Sequence, residues 1–153
     1  MFIVKVHHIT VSAYAKSREE ATRMRDLLMK ILPADSHIDE VAYEPETEGE
    51  VFTKEIYDVK SKIEGQKEIK ELTNRILKGL DEYDRNGLLE KVADHVDEDC
   101  NLYLRLSKAE LEEGNMVLES KDSIHVRFKL AAYPAKKEVA VEVAKTLIED
   151  EIR

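Results

Sequence analysis

The chain has 153 residues, 42% of them hydrophobic, which suffices to bury a substantial core and is typical of one domain over residues 1–153. Its 24 Lys and Arg stand against 33 Asp and Glu, and the resulting net charge of −9 excludes strong, purely electrostatic binding to nucleic acid. The single cysteine excludes an internal disulfide and a zinc site built from cysteines.

The chain opens on a predicted strand over residues 2–15, where β-branched residues are dense. Apolar residues before and after the His7-His8 pair follow opposite phases of the strand alternation. We therefore expect a β-bulge at this pair, which would keep both sets of apolar residues in the core. A helix follows, and Ser17 and Glu20 mark its start as an S-x-x-E capping box.

Residues 34–60 form an acidic segment, in which two basic and nine acidic residues give a balance of −7. A short strand is expected around residues 41–43 and a longer one over 50–60. An anionic ligand would have to avoid this segment, whereas a basic protein partner would favour it.

The rest of the chain contains segments of helical period and segments of strand period. Apolar residues recur every three or four positions in the former and at every second position in the latter. In chain order they are expected as helices over 66–80 and 84–96, strands over 101–108, 115–120 and 123–133, and a helix over 134–152.

This order of elements predicts an α+β fold: a two-layer sandwich with a mostly antiparallel sheet and helices on one face. The other face would be open. In the strand over 101–108, Leu104 and its apolar neighbours would face the helices, while Tyr103 and Arg105 would face outward. No apolar run approaches the ~18 residues that span a bilayer, and no signal peptide is recognisable, so we expect a cytoplasmic protein without a membrane partner.

The acidic run before this strand raises the question of a metal site. Asp97, Asp99 and Asn101 match the opening of an EF-hand calcium loop, but Leu102 and Lys108 occupy the positions that require Gly and Glu. We therefore expect an acidic turn, with no metal and no cofactor. No G-x-S-x-G or H-E-x-x-H motif and no phosphate-binding glycine loop occurs, so no catalytic residue is predicted and an enzyme is disfavoured.

The outward positions of the strands carry cations interleaved with aromatic and imidazole groups. Arg and Tyr side chains can stack on unpaired bases, and Lys can meet phosphate. Two other interpretations stay open: a solvated face with cross-strand ion pairs, and a seam that pairs with a second copy of the chain as a homodimer. The residues are Lys5 and His7 on the first strand, Tyr103 and Arg105 on another, and His125, Arg127 and Lys129 on a third.

Residues 97–130 resemble the archaeal RNA-binding domain family of predicted exosome subunits, which have a ribosomal protein L5-like fold. The resemblance implies a non-enzymatic protein that binds RNA, associated with RNA processing or ribonucleoprotein assembly. The residues that carry the family pattern are Asp97, Asn101, Tyr103, Arg105, Lys108, Gly114 and Asp122.

The leading hypothesis is therefore a non-catalytic RNA-binding module. In it Tyr103 would stack on a base, Arg105 and Arg127 would bind phosphate or stack, and Lys108 and Lys129 would meet phosphates. The alternative is a protein-interaction or scaffolding subunit, in which the acidic 34–60 segment contacts a basic protein partner or a ribonucleoprotein assembly; protein subunits of an RNA-processing complex are candidate partners.

Overall fold

The computed structural model describes residues 4–43 and 56–152, and all structural statements below concern these residues. Five strands and five α-helices lie within them. The strands are β1 (Val6–Ala15), β2 (Asp39–Tyr43), β3 (Ile56–Ile63), β4 (Asn101–Ser107) and β5 (Ser123–Leu130). The helices are α1 (Arg18–Ile31), α2 (Gln66–Gly79), α3 (Glu82–Glu90), α4 (Lys108–Glu112) and α5 (Lys137–Ile152), with a 3₁₀ turn at Val92–His95.

The strands form one sheet in the order β2-β3-β1-β5-β4, and every neighbouring pair is antiparallel. The first strand of the chain therefore lies in the middle, between β3 and β5. This arrangement places the two strands with the clearest alternation, β4 and β5, side by side and next to β1.

One face of the sheet packs against the helices and forms the core. Leu104, Val126 and Val11 come from three adjacent strands and are at most 1% exposed. They meet the apolar stripes of α1, α2 and α5, whose buried residues include Leu28 and Ile76. The predicted α+β two-layer sandwich with helices on one face is thus confirmed.

The β-bulge predicted at the histidine pair is also confirmed. Val6 pairs with Leu130 and His8 pairs with Lys129, so His7 is the extra residue in β1. The inserted residue reverses the phase of the strand, so that Val6 before it and Ile9 after it are both buried, whereas Val4 is 45% exposed and lies outside the core.

The start of α1 departs slightly from a standard capping box. The Ser17 hydroxyl accepts a hydrogen bond from the Glu20 N–H at 3.1 Å, as predicted. The Glu20 carboxylate, however, accepts from the N–H of Lys16 at 2.9 Å rather than from that of Ser17. Both bonds still satisfy backbone donors at the beginning of the helix.

The single helix predicted over 84–96 is wrong at both ends. The Asp81 carboxylate caps the Asp84 N–H at 2.8 Å, so α3 begins earlier than predicted. The helix ends at Glu90, and a 3₁₀ turn then brings Val96 into a bridge with Leu102 at the edge of β4. Pairing with the sheet therefore overrides the helical pattern.

The strand predicted over 115–120 is reduced to one bridge, between Leu118 and Leu106. The chain between β4 and β5 instead forms the short helix α4, capped by the Ser107 hydroxyl, which accepts from the Glu110 N–H at 3.2 Å. Of the strand predicted over 50–60, residues 50–55 lie outside the described residues, and the observed strand continues to Ile63.

Candidate nucleic-acid interface

The sheet face turned away from the helices, called the open face below, is predominantly polar. Its side chains are exposed or half-buried, with one exception, Asp58. The open face consists of His8, Thr10, Ser12 and Tyr14 on β1, Asp58, Lys60 and Lys62 on β3, Tyr103 and Arg105 on β4, and His125, Arg127 and Lys129 on β5.

Strand register arranges these side chains in rows that cross the sheet. Each row begins with an aromatic or cationic group on β4 and continues through a cation or imidazole on β5 and a hydroxyl on β1. One row is Tyr103, Arg127, Thr10 and Lys62, and the next is Arg105, His125, Ser12 and Lys60. The predicted interleaving of cations with aromatic groups is therefore present as a contiguous surface.

Arg105 and Arg127 are exposed on this face, and neither is held by an acid. Within residues 4–43 and 56–152, neither guanidinium makes an ion pair or a side-chain hydrogen bond. Tyr103 lies directly opposite Arg127 and two residues before Arg105 on β4, and it is 37% exposed. The two arginines can therefore meet a ligand without first breaking a contact within the described residues, whereas the Tyr103 hydroxyl is hydrogen-bonded to the Asp97 carboxylate.

The two predicted lysines are situated differently. The Lys108 ammonium donates to the Tyr14 carbonyl oxygen at 3.2 Å and lies 3.4 Å from a carboxylate oxygen of Asp122, with only 12% of its side chain exposed. The Lys129 ammonium donates to the carbonyl oxygen of Asp99. Both lysines fix neighbouring turns against the sheet, and they add positive charge to the face from these positions.

Residues on the first strand differ from those predicted. Lys5 pairs with Asp150 of α5, and the His7 ring is hydrogen-bonded to the Tyr133 hydroxyl at 3.1 Å, so neither joins the open face. The bulge instead places His8 there, beside Lys129. The reversal of the strand alternation at His7-His8, which the sequence predicts, is the signal that indicates this difference.

Two histidines of the open face are surrounded by cations. Burial, together with the charges of Lys62 and Arg127, lowers the pKa of His8 below 6.5. Burial and the charges of Arg105 and Lys108 likewise lower the pKa of His125. Burial is the larger cause of both shifts, and the cations beside each ring act in the same direction, whereas Glu64 opposes the shift at His8 and Asp58 opposes it at His125.

Charge is not uniform across the sheet. On β3, the Lys62 ammonium lies 3.3 Å from Glu64, and the Lys60 ammonium lies 4.0 Å from Asp58. Among the described residues, the cations of β4 and β5 form no ion pair with a carboxylate; Lys108, which follows β4, lies beside Asp122. The most favourable position for an anion is therefore over β5 and β4.

A groove of about 980 Å³ continues from the open face around the edge of β4, where it is bounded by α3 and residues 118–120. Tyr103 and Arg105 lie at its mouth. Its charged lining is mainly acidic, so it suits phosphate less well than the sheet does. The charged residues are Asp84, Glu90, Lys91, Asp94, Arg105 and Glu119.

The acidic turn before β4 is a structural element. The Asp97 carboxylate accepts hydrogen bonds from the N–H groups of Asn101 at 2.9 Å and Asp99 at 3.0 Å. Burial alone would raise the pKa of Asp97, but hydrogen bonds from Asn101, Tyr103 and Asp99 lower it below its usual value of 3.8. The turn thereby fixes the start of β4 and the position of Tyr103, as a backbone-bonding aspartate should.

We also looked in the described part of the chain for a metal site and for a membrane-spanning helix. No three His, Cys, Asp or Glu side chains there approach closely enough to hold a metal ion. Among the described helices, none combines the length and the apolar character needed to cross a bilayer. The centre of the acidic segment considered as a protein-binding region, residues 44–55, lies outside the described residues.

The fold and the site define an α+β protein with an open, cation-bearing sheet face. The sequence pattern of the RNA-binding family matches residues 8–130, and the chain belongs to this family. It is similar to the RNA-binding protein PAB1135 of Pyrococcus abyssi (strain GE5 / Orsay), with 29% identity over 150 residues that cover 97% of each protein.

Solved structures show the same fold. Protein AF2318 from Archaeglobus fulgidus superposes with a TM-score of 0.80 at 24% identity, over 94% of this chain and 99% of that one. Mth689, a DUF54 protein from Methanothermobacter thermautotrophicus, gives a TM-score of 0.74 at 23% identity, over 94% and 98% of the two chains. At such identities the likeness concerns the fold alone.

Proposed function

We propose that this protein is a non-catalytic RNA-binding protein that holds unpaired RNA on the open face. The observation that carries the proposal is the pair of exposed guanidinium groups, Arg105 and Arg127, both adjacent to Tyr103 and held by no acid among residues 4–43 and 56–152. Membership in the RNA-binding family supports RNA as the ligand.

Each side chain has a role that follows from its position. The Tyr103 ring stacks on a base, while Arg105 and Arg127 bind phosphate or stack on a neighbouring base. Lys108 and Lys129 attract phosphate from their bonded positions. An open sheet face favours unpaired RNA over a duplex, because splayed bases can lie on it and expose their edges.

A seam between two copies of the chain is less favourable on this face. It would remove the arginines of both copies from water, and unpaired buried charges cost several kcal/mol each. A polyanion, in contrast, neutralises them. We therefore assign the open face to RNA rather than to a homodimer.

The proposal is tested by the affinity for fluorescently labelled, unpaired RNA at low salt. The double variant Arg105→Ala, Arg127→Ala should lower the affinity on the order of tenfold, through the loss of two phosphate contacts. The matched control is Lys67→Ala, Lys70→Ala, which removes two exposed cations from α2 in the helical layer. Equal losses in the two double variants, or no binding by the unaltered protein, would contradict the proposal.

The more specific assignment is to RNA processing, as a subunit associated with the exosome or a ribonucleoprotein assembly, on an L5-like fold. It is supported by the family resemblance in residues 97–130. Affinity capture of the protein with and without nuclease treatment tests it. Partners that persist after nuclease indicate direct protein contacts, and partners lost with the RNA indicate that RNA bridges them.

A further inference from the structure

An aspartate lies buried in the middle of the otherwise basic open face. Asp58 stands on β3 directly opposite Tyr14 of β1 and Val41 of β2, and it is only 8% exposed. Its Oδ1 atom is out of contact with solvent and receives no hydrogen bond from the described residues. Its Oδ2 atom lies 4.0 Å from the Lys60 ammonium nitrogen, which is too far for a hydrogen bond.

This environment is costly for a carboxylate. A buried polar group without a partner loses its hydration and gains nothing in return, and for a charged group the cost is larger. Asp97 shows the contrast, because its two carboxylate oxygens accept three hydrogen bonds from neighbouring N–H groups. Asp58 has a hydrogen-bonding capacity that the described protein leaves unused.

The carboxylate borders a depression of about 240 Å³ on the open face. Hydroxyl groups of β1 form part of its lining, and two tyrosine rings, of which Tyr14 is 51% and Tyr103 37% exposed, stand at it. The Tyr14 ring meets the His125 ring edge to face, with centroids 6.1 Å apart. The remaining lining residues are Thr10, Ser12, Lys60 and Arg127.

We propose that this depression binds the base of a guanosine in unpaired RNA, with Asp58 accepting hydrogen bonds from its Watson–Crick edge. The inference rests on the proposed function and names the nucleotide that the open face selects. Tyr14 or Tyr103 supplies the stacking surface, and Arg127 meets the adjoining phosphate.

The chemistry of the four bases favours guanine. Its Watson–Crick edge presents two adjacent donors, N1–H and the 2-amino group, to the two oxygens of a carboxylate. Cytosine and adenine each offer one amino group beside a ring nitrogen acceptor, which a carboxylate repels. Uracil offers one N–H between two carbonyl oxygens. A carboxylate in this position therefore satisfies both of its oxygens only with guanine.

Bonding to both oxygens requires a small movement of Asp58. Because Oδ1 is covered, the carboxylate must rotate about its Cβ–Cγ bond to present both atoms to the depression. That torsion is broad and costs little in an aspartate. The distant contact to Lys60 does not oppose the rotation.

The experiment compares labelled oligouridine RNAs that carry one central guanosine, adenosine, cytidine or inosine. The unaltered protein should bind the guanosine RNA on the order of tenfold more tightly than the adenosine or cytidine RNA. Inosine, which keeps N1–H and lacks the 2-amino group, should fall between guanosine and adenosine. This comparison uses no variant, so it does not depend on how a substitution affects folding.

Two isosteric variants then locate the preference. Asp58→Asn should reduce the ratio of guanosine to adenosine affinity to about one, because the amide repels one of the two base donors. Asp39→Asn removes an exposed carboxylate from β2, directly opposite Lys60 of the open face, and should keep the ratio. Each variant removes one negative charge and so reduces the repulsion of phosphate to a similar extent. The ratio of the two affinities, rather than the overall affinity, therefore distinguishes the variants.

The outcomes distinguish this inference from the proposed function. Equal affinities for the four RNAs, or the same loss of preference in both variants, would overturn the guanosine site while RNA binding stands. Absence of binding to all of the RNAs would overturn the proposed function, and the guanosine site with it.

Discussion

Two histidines of the open face lie where an RNA ligand would meet them. His8 and His125 are held in the neutral form by burial and by nearby cations, and their pKa values lie below 6.5. A bound phosphate would oppose both effects, because it supplies a negative charge beside the ring. Binding of RNA must then raise these pKa values and take up protons.

RNA affinity should therefore rise several-fold as the pH falls from neutrality to below 6.5 at constant salt. The double variant His8→Gln, His125→Gln should bind with an affinity that changes little with pH. His37→Gln is the control, since His37 is exposed beside Asp39 and its loss should leave the pH dependence in place. An affinity that falls on acidification would show that these rings do not face the phosphates.

The same shifts affect the stability of the free protein in the opposite direction. The folded-state pKa of each ring lies below the unfolded value near 6.5, so the unfolded chain binds protons first. The contribution of the neutral rings to the free energy of unfolding is complete above pH 6.5 and is lost as the pH falls through the folded-state pKa. RNA should restore part of this loss, because it binds the protonated face more tightly.

At the scale of the element, β4 separates stability from binding by alternation alone. Leu104 is 1% exposed beneath the sheet, and its neighbour Arg105 is exposed on the open face. Leu104→Ala should lower the free energy of unfolding by about 2–5 kcal/mol, because it leaves a cavity in the core. Arg105→Ala should change it by less than about 0.5 kcal/mol and should weaken RNA binding instead.

Urea denaturation of the two variants measures the change in the free energy of unfolding. RNA affinity is measured without urea, under conditions where circular dichroism shows that each variant is folded. A Leu104→Ala protein that is folded should keep the RNA affinity of the unaltered chain. If Arg105→Ala were the destabilising change, the assignment of the two faces of β4 would be wrong.

Alternation also explains what could be predicted from the sequence. β4 and β5 were predictable because every second residue is apolar, which settles both the strand and the direction of Arg105 and Arg127. α4 carried a readable signal as well, since Ser107 and Glu110 repeat the S-x-x-E pattern of α1. It was hidden because Ser107 also completes the alternating strand.

The parts that sequence did not predict depend on contacts between distant segments. The position of β1 between β3 and β5 follows from pairing of strands far apart in the chain, and local periodicity carries no information about it. In the sequence, Asp58 is one acid among the nine of the 34–60 segment. Its burial on the open face depends on the strand register, which places it opposite Tyr14, and local sequence does not contain that information.

At the scale of the whole molecule, an acidic protein carries a basic face because charge is segregated. The net charge is −9, yet the open face bears Arg105 and Arg127 without acidic partners in the described residues. At physiological salt, acids that lie farther than a Debye length from the ligand are screened from it. Direct contacts between the ligand and the cations of the open face are screened much less. Affinity should therefore follow the local cations rather than the net charge.

The salt dependence of binding tests this separation. For single-stranded RNA, each neutralised phosphate contributes about −0.7 to the slope of log affinity against log salt. Arg105→Ala, Arg127→Ala should make the slope shallower by about 1.4, because two contacts are lost. Lys67→Ala, Lys70→Ala changes the net charge by the same amount but should leave the slope unchanged. If both double variants shifted the slope equally, net charge would govern the association and the open face would have no special part in it.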